Sequence, residues 1–427
     1  MRSGRRLAPY ALIAAVSAVP RIVVLLHERS SITSSFVEKS DRFATTFIHS
    51  GTFGLVPGVP SAYTQPLYGW FLIPLYWIFG RSWATIGFAQ TAVAVATAIL
   101  VYLIAKRLVS PRLAVLAAVV ATLNPYLVWH DVHVNREILD QLVAAALVLA
   151  TLVAARRRSW QASAAVGVLL GLAILGNVRL LALPLVVGAF LAWRHVPALA
   201  VCALLAATVV VLAPWVIRNK VQLGCYAITT DARALWKANN LQTYDLLAHG
   251  RWIDDVRNIP GAPPTPEAAA DHYEQTGEIL HVDECAQMRY YQHFVFQFWE
   301  NHPGAKAKLA GQAVRMEWQP TVVQTSATNG EASGLGTLRR LVQPAYTIPL
   351  YALALVGLIA APLEFSALAV ALLAYQTLAA MLFVGSTRYR VPWDFLVVLL
   401  AASAVERAWR RRSLAVARRT GPGAELS

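Results

Sequence analysis

Charged residues are scarce in this sequence. They make up 14% of its 427 residues, against roughly 25% in an ordinary soluble protein, whereas hydrophobic residues make up 57%. This composition excludes an ordinary cytosolic globular fold. Lys and Arg outnumber Asp and Glu by 37 to 23, but long apolar runs separate the basic residues, so they do not form the solvated patch of a nucleic-acid-binding protein. The positive balance instead indicates a membrane surface as the partner.

Cysteine is also scarce, with three residues in the whole chain. This number excludes a scaffold built on disulfides, and the spacing is not that of metal ligands. Cys202 falls in an apolar run, where we expect an inert side chain that packs against its neighbours. Cys225 and Cys285 both fall in a segment that the topology below places outside the cytoplasm, where a disulfide between them could persist.

Long apolar runs are abundant instead. A run of about 20 apolar residues predicts a helix that crosses the bilayer, because each backbone polar group must be satisfied within its own segment. The sequence contains ten such runs, at 7–27, 83–105, 112–129, 137–155, 160–177, 179–193, 197–217, 341–361, 363–384 and 391–409. A shorter run at 66–80 is predicted to lie at the outer interface, with an additional half-span as the alternative.

Basic residues in the short connections give the predicted orientation. They fall on one side of the membrane if the chain has ten spans, at Arg2, Arg5, Arg6, Lys106, Arg107, Arg112, Arg156, Arg157, Arg158, Arg194, Arg407, Arg410, Arg411, Arg412, Arg418 and Arg419. Both termini are therefore predicted to be cytoplasmic. No small-residue cleavage site follows the first helix, so we expect that helix to be retained.

This topology divides the chain into a membrane core, an outer domain and a second group of spans. The core covers 1–217 and includes an outer loop at 28–82. The extracytoplasmic domain covers 218–340 and is mainly helical, three further spans follow at 341–410, and 411–427 forms a basic cytoplasmic tail. The outer domain carries 12 Lys or Arg and 13 Asp or Glu, so the positive balance belongs to the membrane part.

Ionisable residues gather at the predicted outer ends of the helices, where they are costly without a partner or a task. Acids and cations from distant parts of the chain meet at this level. They include Glu38, Asp41, His130, Asp131, His133, Arg136, Glu137, Asp140, Arg179, Arg218, Lys220, Arg388 and Arg390. Such a set suits transfer from a lipid-linked phosphate, since cations can stabilise the leaving phosphate while a carboxylate takes a proton from a hydroxyl.

Several short motifs follow one another in a recognisable order. They are Ala-Tyr-Thr-Gln-Pro-Leu-Tyr-Gly at 62–69, Ile-Phe-Gly at 78–80, Gln90, Ala-Lys-Arg-Leu at 105–108, Leu-Asn-Pro-Tyr at 123–126, Arg-Glu-Ile-Leu at 136–139, Ala-Pro-Trp-Val-Ile-Arg-Asn at 213–219, Gly224, Leu-Trp-Lys-Ala-Asn-Asn at 235–240 and Arg-Tyr-Arg-Val-Pro at 388–392. With this topology the chain resembles the GT-C superfamily of polyprenyl-phosphate-sugar-dependent glycosyltransferases. The resemblance covers residues 1–410 and is greatest to the bacterial branch that is similar to protein O-mannosyltransferases and aminoarabinose transferases.

The resemblance implies an all-α polytopic membrane protein with a GT-C-like core. It also implies a catalytic acid in the first outer loop, for which Asp41 and Glu38 are the two alternatives, and a second functional acid at Glu137. Asp41 is slightly favoured, because Asp-Arg-Phe-Ala at 41–44 is similar to the family's helix. Candidate ligands of the donor phosphate are Arg388, Arg390, Arg218 and Arg179, and candidate substrate contacts are Tyr63, Gln65, His130, Asp131, His133 and Tyr389.

The implied function is transfer of a sugar from a polyprenyl-phosphate donor to an acceptor hydroxyl on the outer side, with inversion at the anomeric carbon. The implied location is a bacterial plasma membrane, with the site facing the periplasm or exterior. No metal ligand set or cofactor is assigned, although His130, Asp131 and His133 are residue types that can bind a divalent metal. The rival is a transporter or lipid-carrier flippase, which would need inverted repeats and charges near the bilayer centre.

Overall fold

A computed structural model describes residues 2–35, 37–322 and 334–419 of the chain. The described residues are mainly helical, and their one β-bridge is isolated, between Val56 and Val59. The helices of the membrane core are α1 (Arg2–His27), α2 (Ser40–Ser50), α3 (Pro66–Phe79), α4 (Trp83–Ala105), α5 (Pro111–Thr122), α6 (Pro125–His130), α7 (Glu137–Arg157), α8 (Trp160–Gly176), α9 (Leu183–Trp193) and α10 (Ala198–Leu223). The predicted all-α fold is confirmed.

The outer segment (218–322) and the C-terminal helices follow the membrane core. Helices α11 to α15 are Ala232–Lys237, Thr243–Ala248, Pro266–Thr276, Glu284–Asn301 and Pro303–Trp318. Helices α16 to α19 are Gly334–Ala360, Leu363–Leu382, Thr387–Arg390 and Asp394–Arg419. The last residues of the predicted basic tail, 420–427, lie outside the described residues.

Six of the described helices are long and apolar enough to cross a membrane. They are Leu7–His27, Trp83–Ala105, Glu137–Arg157, Ala198–Leu223, Arg340–Ala360 and Leu363–Leu382. Four shorter apolar helices accompany them, at Pro66–Phe79, Pro111–Thr122, Trp160–Gly176 and Val178–Trp193. These helices and the fold make the chain a multi-pass membrane protein.

Two predicted spans have a different local structure from a single continuous helix. The run at 112–129 is broken at Asn124, whose side chain accepts a hydrogen bond from the Tyr126 backbone N–H, because Pro125 cannot continue the preceding helix. The run at 391–409 begins with the short turn Val391–Trp393 before α19. In both places the chain bends near the helix ends that are predicted to face outward, where the candidate site residues lie.

One apolar core runs through the membrane helices. It joins side chains of α4, α5, α7, α8, α9, α10, α17 and α19. Gly167 of α8 allows a close approach, since a Cβ atom there would lie 2.1 Å from the Leu204 carbonyl oxygen of α10. The membrane helices therefore pack as a bundle, and the loops that connect them form its two ends.

The two ends of the bundle carry different sets of residues. At the end predicted to be cytoplasmic, Arg156 and Arg194 both contact Glu364, at 3.0 Å each. At the other end lie the first outer loop, the connection before α7 and the helical segment 218–322. A disulfide joins Cys225 to Cys285 there, which links the end of α10 to α14 across 60 residues.

Candidate active site

A cavity of about 370 Å³ opens at the end of the bundle that is predicted to face outward, where the loop at 28–82, the ends of the membrane helices and the outer segment (218–322) meet. Polar and charged side chains dominate its wall. The cations in the wall are Lys39, Arg136, Arg179, Arg233, Lys237 and Arg388, and the carboxylates are Glu38, Asp231, Asp254 and Glu267. The cavity therefore brings together charges that are up to 350 residues apart in the sequence.

Glu38 places a carboxylate in this wall. It lies two residues before α2, and its Oε2 accepts a hydrogen bond of 2.7 Å from the Ser40 backbone N–H. Its own backbone N–H donates to the Val134 carbonyl oxygen at 3.1 Å, which fixes the loop against the connection before α7. The side chain is half-buried and lines the cavity, so a bound substrate can reach its carboxylate.

Asp41 lies one turn further on, and its carboxylate is occupied. The Tyr76 hydroxyl donates to its Oδ1 at 2.5 Å, and the Arg81 Nε lies 3.0 Å from both carboxylate oxygens. The residue is 6% exposed and does not line the cavity. Of the two alternatives for the catalytic acid, the structure therefore brings only Glu38 to the cavity.

Arg388 lines the cavity with a buried acid behind it. Its Nε donates to Glu137 Oε1 at 2.6 Å and its Nη2 to Glu137 Oε2 at 3.0 Å. The Arg388 side chain is 27% exposed, whereas that of Glu137 is 1% exposed. Glu137 does not line the cavity itself; it holds the guanidinium in place as a bidentate partner.

Arg179, like Arg388 a candidate ligand of the donor phosphate, also lines the cavity. It lies in the short turn Val178–Leu180, and its Cζ is 3.6 Å from the centre of the Tyr389 ring. Its Nη1 donates to the Val384 carbonyl oxygen at 3.3 Å. Among the described residues, no carboxylate lies within 4.0 Å of its guanidinium, so its charge is available to an anion.

Arg390 and Arg218 do not line the cavity. Arg390 is 1% exposed and pairs with Asp394 at 3.0 Å, within one turn of the chain. Arg218 donates to the backbone carbonyl oxygens of Ser61 and Phe53 at 2.9 and 3.0 Å, which ties the end of α10 to the first outer loop. In this structure both guanidinium groups therefore have partners that hold loops and helix ends together.

The polar group around His130 is buried within the bundle and does not line the cavity. Asp131 is fully buried and pairs with Arg21 of α1 at 2.7 Å. The His133 ring stacks on Trp129 with the ring centres 4.0 Å apart, and the His130 Nε2 lies 3.6 Å from Glu137 Oε2. Within the described ranges, no three His, Cys, Asp or Glu side chains are placed to hold a metal ion.

The remaining candidate substrate contacts, Tyr63, Gln65 and Tyr389, all line the cavity. Gln65 accepts a hydrogen bond from Arg136, which also lines the cavity. The sequence analysis counts Arg136 among the charged residues at the outer helix ends but predicts no role for it. The position of Arg136 directly before the buried Glu137 is the signal that could have identified it as a cavity cation.

Ion pairs form the side of the cavity away from the membrane helices. The sequence did not predict these pairs. The Lys39 Nζ lies 2.7 Å from Asp231 and 3.3 Å from Glu267. Although burial opposes it, the attraction of these two carboxylates raises the pKa of Lys39. Burial also disfavours the charged form of Asp231, but Lys39 outweighs it and lowers the pKa of Asp231. Lys39 and Asp231 are therefore both charged, and their ion pair holds the first outer loop against the outer segment.

The fold and the cavity together define a class: a multi-pass helical membrane protein with a polar cavity at one end of its bundle. Residues 60–217 match the family model described as dolichyl-phosphate-mannose-protein mannosyltransferase. No curated protein sequence matches the chain significantly.

Solved structures of two proteins are similar to this fold. The oligosaccharyltransferase AglB from Archaeoglobus fulgidus, in complex with an inhibitory peptide and a dolichol-phosphate, matches with a TM-score of 0.52 at 14% identity, over 100% of this chain and 53% of that chain. ArnT from Cupriavidus metallidurans, bound to undecaprenyl phosphate, matches with a TM-score of 0.43 at 14% identity, over 98% of this chain and 82% of that chain.

The family match and the fold shared with AglB confirm the predicted resemblance to the GT-C superfamily of glycosyltransferases. The chain spans about half the length of that oligosaccharyltransferase. Its own reaction and substrates must therefore be argued from its cavity.

Proposed function

We propose that this protein transfers a sugar from a polyprenyl-phosphate donor to an acceptor hydroxyl, with inversion at the anomeric carbon, on the extracytoplasmic side of a bacterial plasma membrane. One observation carries the proposal: the carboxylate of Glu38 and the guanidinium groups of Arg179 and Arg388 line one cavity. A general base and cations for a leaving phosphate are the two requirements of this reaction. The matched AglB structure holds a dolichol-phosphate, which supports the donor class.

In the proposed reaction Glu38 takes the proton of the acceptor hydroxyl. The acceptor oxygen attacks the anomeric carbon from the face opposite the phosphate, and the bond between that carbon and the phosphate oxygen breaks. The electron pair leaves with the polyprenyl phosphate, whose charge Arg179 and Arg388 stabilise. Attack from the opposite face inverts the configuration at the anomeric carbon.

The other cavity residues have supporting roles in this proposal. Glu137 is a positioning residue, because it acts on the phosphate only through the bidentate pair with Arg388. Arg136 and Gln65 form a hydrogen-bonded pair in the wall and hold the sugar or phosphate in register. Asp41 fixes the outer loop through Arg81 and Tyr76 and has no proton-transfer role.

Substitution of Glu38 by Gln tests the proposal. General-base catalysis contributes about 100- to 10,000-fold, so we expect Glu38→Gln to lower the rate of transfer by at least about 100-fold while it leaves donor binding unchanged. The assay follows sugar transfer from a synthetic short-chain polyprenyl-phosphate sugar by the purified protein. A flippase needs two compartments and would give no transfer in this assay.

Asp41→Asn is the matched comparison, since it also replaces an acid of the first outer loop by its amide. We expect it to lower thermal stability, because the Arg81 contact weakens, and to retain more activity than Glu38→Gln. Full activity of Glu38→Gln would refute the assignment of the base.

A further inference from the structure

A second cavity, of about 250 Å³, lies in the outer segment. Its wall is formed by Trp236 of α11, the following loop to Gln242, the C-terminal half of α14, and His302, which follows that helix. The described residues of this wall include no Lys, Arg, Asp or Glu, in contrast to the first cavity with its ten charged side chains. With His302 as its one titratable side chain, this wall suits a neutral ligand better than a charged one.

Aromatic rings form the apolar part of the second cavity. Trp236 and Phe298 are each 6% exposed, and Phe294 is half-buried. All three belong to α11 and α14, which pack against each other, so the rings are held by helices and not by a loop. Flat apolar faces of this kind can pack against the C–H face of a sugar ring.

Side-chain amides form the polar part. Gln242, Gln297 and Asn301 are exposed and line the cavity, and their amide groups make no side-chain hydrogen bond to the described part of the chain. An amide offers both a donor and an acceptor, as a sugar hydroxyl does. Aromatic faces and uncommitted amides without charge are therefore complementary to a neutral carbohydrate.

The two cavities share α11 as their dividing wall. Leu235 and Lys237 line the first cavity, whereas Trp236 between them lines the second. Consecutive residues of one helix thus face both spaces. A sugar chain that extends from the first cavity has the second as a neighbouring binding surface.

We propose that the second cavity, between α11 and α14, binds a neutral carbohydrate and that the acceptor of the transferase is a glycan whose sugar units occupy it. This inference rests on the proposed transfer reaction, since it names the acceptor class for the same site. The donor sugar reacts beside Glu38, and the second cavity holds acceptor units away from the reacting hydroxyl.

Direct binding of neutral tetrasaccharides tests this inference. The full-length protein is placed in lipid nanodiscs, because maltoside detergents carry a sugar headgroup that would compete. Maltotetraose, mannotetraose and galactotetraose are titrated and followed by saturation-transfer NMR, with tetragalacturonate as a charged ligand of the same size. We expect at least one neutral tetrasaccharide to bind and tetragalacturonate to bind at least tenfold more weakly.

The double variant Gln297→Ala and Asn301→Ala should weaken this binding at least tenfold. Gln275→Ala, an exposed amide on α13 outside both cavities, is the matched control and should bind as the wild type does. Glu38→Gln should also bind the tetrasaccharide normally, so a failure of the transfer proposal is separable from a failure of this one.

Three results would overturn the inference even with transfer activity intact. The first is that no neutral tetrasaccharide binds the wild type. The second is that binding survives the double variant. The third is that a Ser/Thr-rich acceptor peptide binds instead and is weakened by the double variant, which would indicate a protein acceptor.

Discussion

Arg179 is better placed than Arg388 to bind an anion in the cavity. Arg388 shares its charge with Glu137 at 2.6 Å, whereas Arg179 stacks on Tyr389 and, within the described residues, has no carboxylate within 4.0 Å. A planar guanidinium can stack and bind a phosphate at the same time, which a Lys ammonium cannot do in the same way. The identity of this cation therefore matters beyond its charge.

Replacement of Arg179 by Lys should weaken donor binding. We expect an increase of about tenfold in the dissociation constant of a short-chain polyprenyl phosphate, because one charge-assisted hydrogen bond and the stacking geometry are lost. Arg42→Lys is the matched control, since Arg42 pairs with Glu274 at 2.8 Å outside the cavity. Equal donor affinity in both variants would remove Arg179 from the phosphate site.

Glu317 is a buried acid whose protonation affects stability. It lies on α15 and is 0% exposed. Burial raises its pKa from 4.5 to about 8, against the opposing attraction of Arg179 and Arg390. Between these two pKa values the folded protein keeps a proton that the unfolded chain has lost. Its contribution to stability is therefore complete below pH 4.5 and is lost as the pH rises to about 8.

Glu317→Gln should remove this dependence on pH. We expect the wild type to lose up to about 1 kcal/mol of unfolding free energy per pH unit between pH 5 and 8 from this group, and the variant to lack that loss. Thermal unfolding in nanodiscs at several pH values measures the difference. Glu300→Gln, on the exposed surface of α14, should keep the wild-type slope. Parallel slopes for the wild type and Glu317→Gln would contradict the assignment.

Helix packing in the membrane core depends on close contacts at small residues. Gly167 and Gly171 lie one turn apart on α8, and Cβ atoms there would be 2.1 Å from the Leu204 carbonyl oxygen and 2.6 Å from Val211 Cβ. The small-xxx-small pair that can be read in the sequence therefore lies at the α8–α10 contact. No side chain larger than hydrogen fits at Gly167 unless the two helices move apart.

Gly167→Ala should therefore destabilise the fold. Overpacking of this kind costs about 1–3 kcal/mol, which exceeds the gain of up to about 1 kcal/mol from the higher helix propensity of Ala. Gly188→Ala on α9 is the control, because its Cβ would lie 3.5 Å from Val201 Cγ1, an ordinary contact distance. Thermal unfolding should show a loss for the first variant and none for the second. A Gly167→Ala protein as stable as the wild type would mean that α8 and α10 lie further apart.

Local sequence predicted the helices better than it predicted where side chains point. Arg388 and Arg390 belong to one short helix, and residues two apart on a helix point to nearly opposite sides, so one reaches the cavity and the other pairs with Asp394. The Arg390–Asp394 spacing of four residues is a signal in the sequence for that pairing. This spacing alone distinguishes Arg390, which has an acid four residues later, from Arg388, which does not.

The choice between the two acids could not be made from the sequence. The motif around Asp41 fits the family helix, but its partners Tyr76 and Arg81 lie 35 and 40 residues further along the chain. Contacts at that separation depend on how α2 and α3 pack, which a local motif does not specify. The same holds for Lys39 and Asp231, which are separated by 192 residues and pair across the cavity.

The whole chain arranges its charges at two ends of one bundle. The order of apolar runs and short motifs was enough to predict the class of fold, and the family match and the AglB structure confirm it. Arg156 and Arg194 share Glu364 at one end, and the cavity with Glu38, Arg179 and Arg388 lies at the other. This separation is what a transferase needs if its donor enters from the outer leaflet and its acceptor from outside the cell.

A cryo-EM structure of Glu38→Gln with a bound polyprenyl-phosphate sugar tests this arrangement most directly, since the variant should bind the donor without turnover. We expect the donor phosphate within about 3.5 Å of the Arg179 or Arg388 guanidinium, and the anomeric carbon facing residue 38. A phosphate bound at Arg218 or Arg390, with residue 38 remote from the sugar, would contradict the proposed active site.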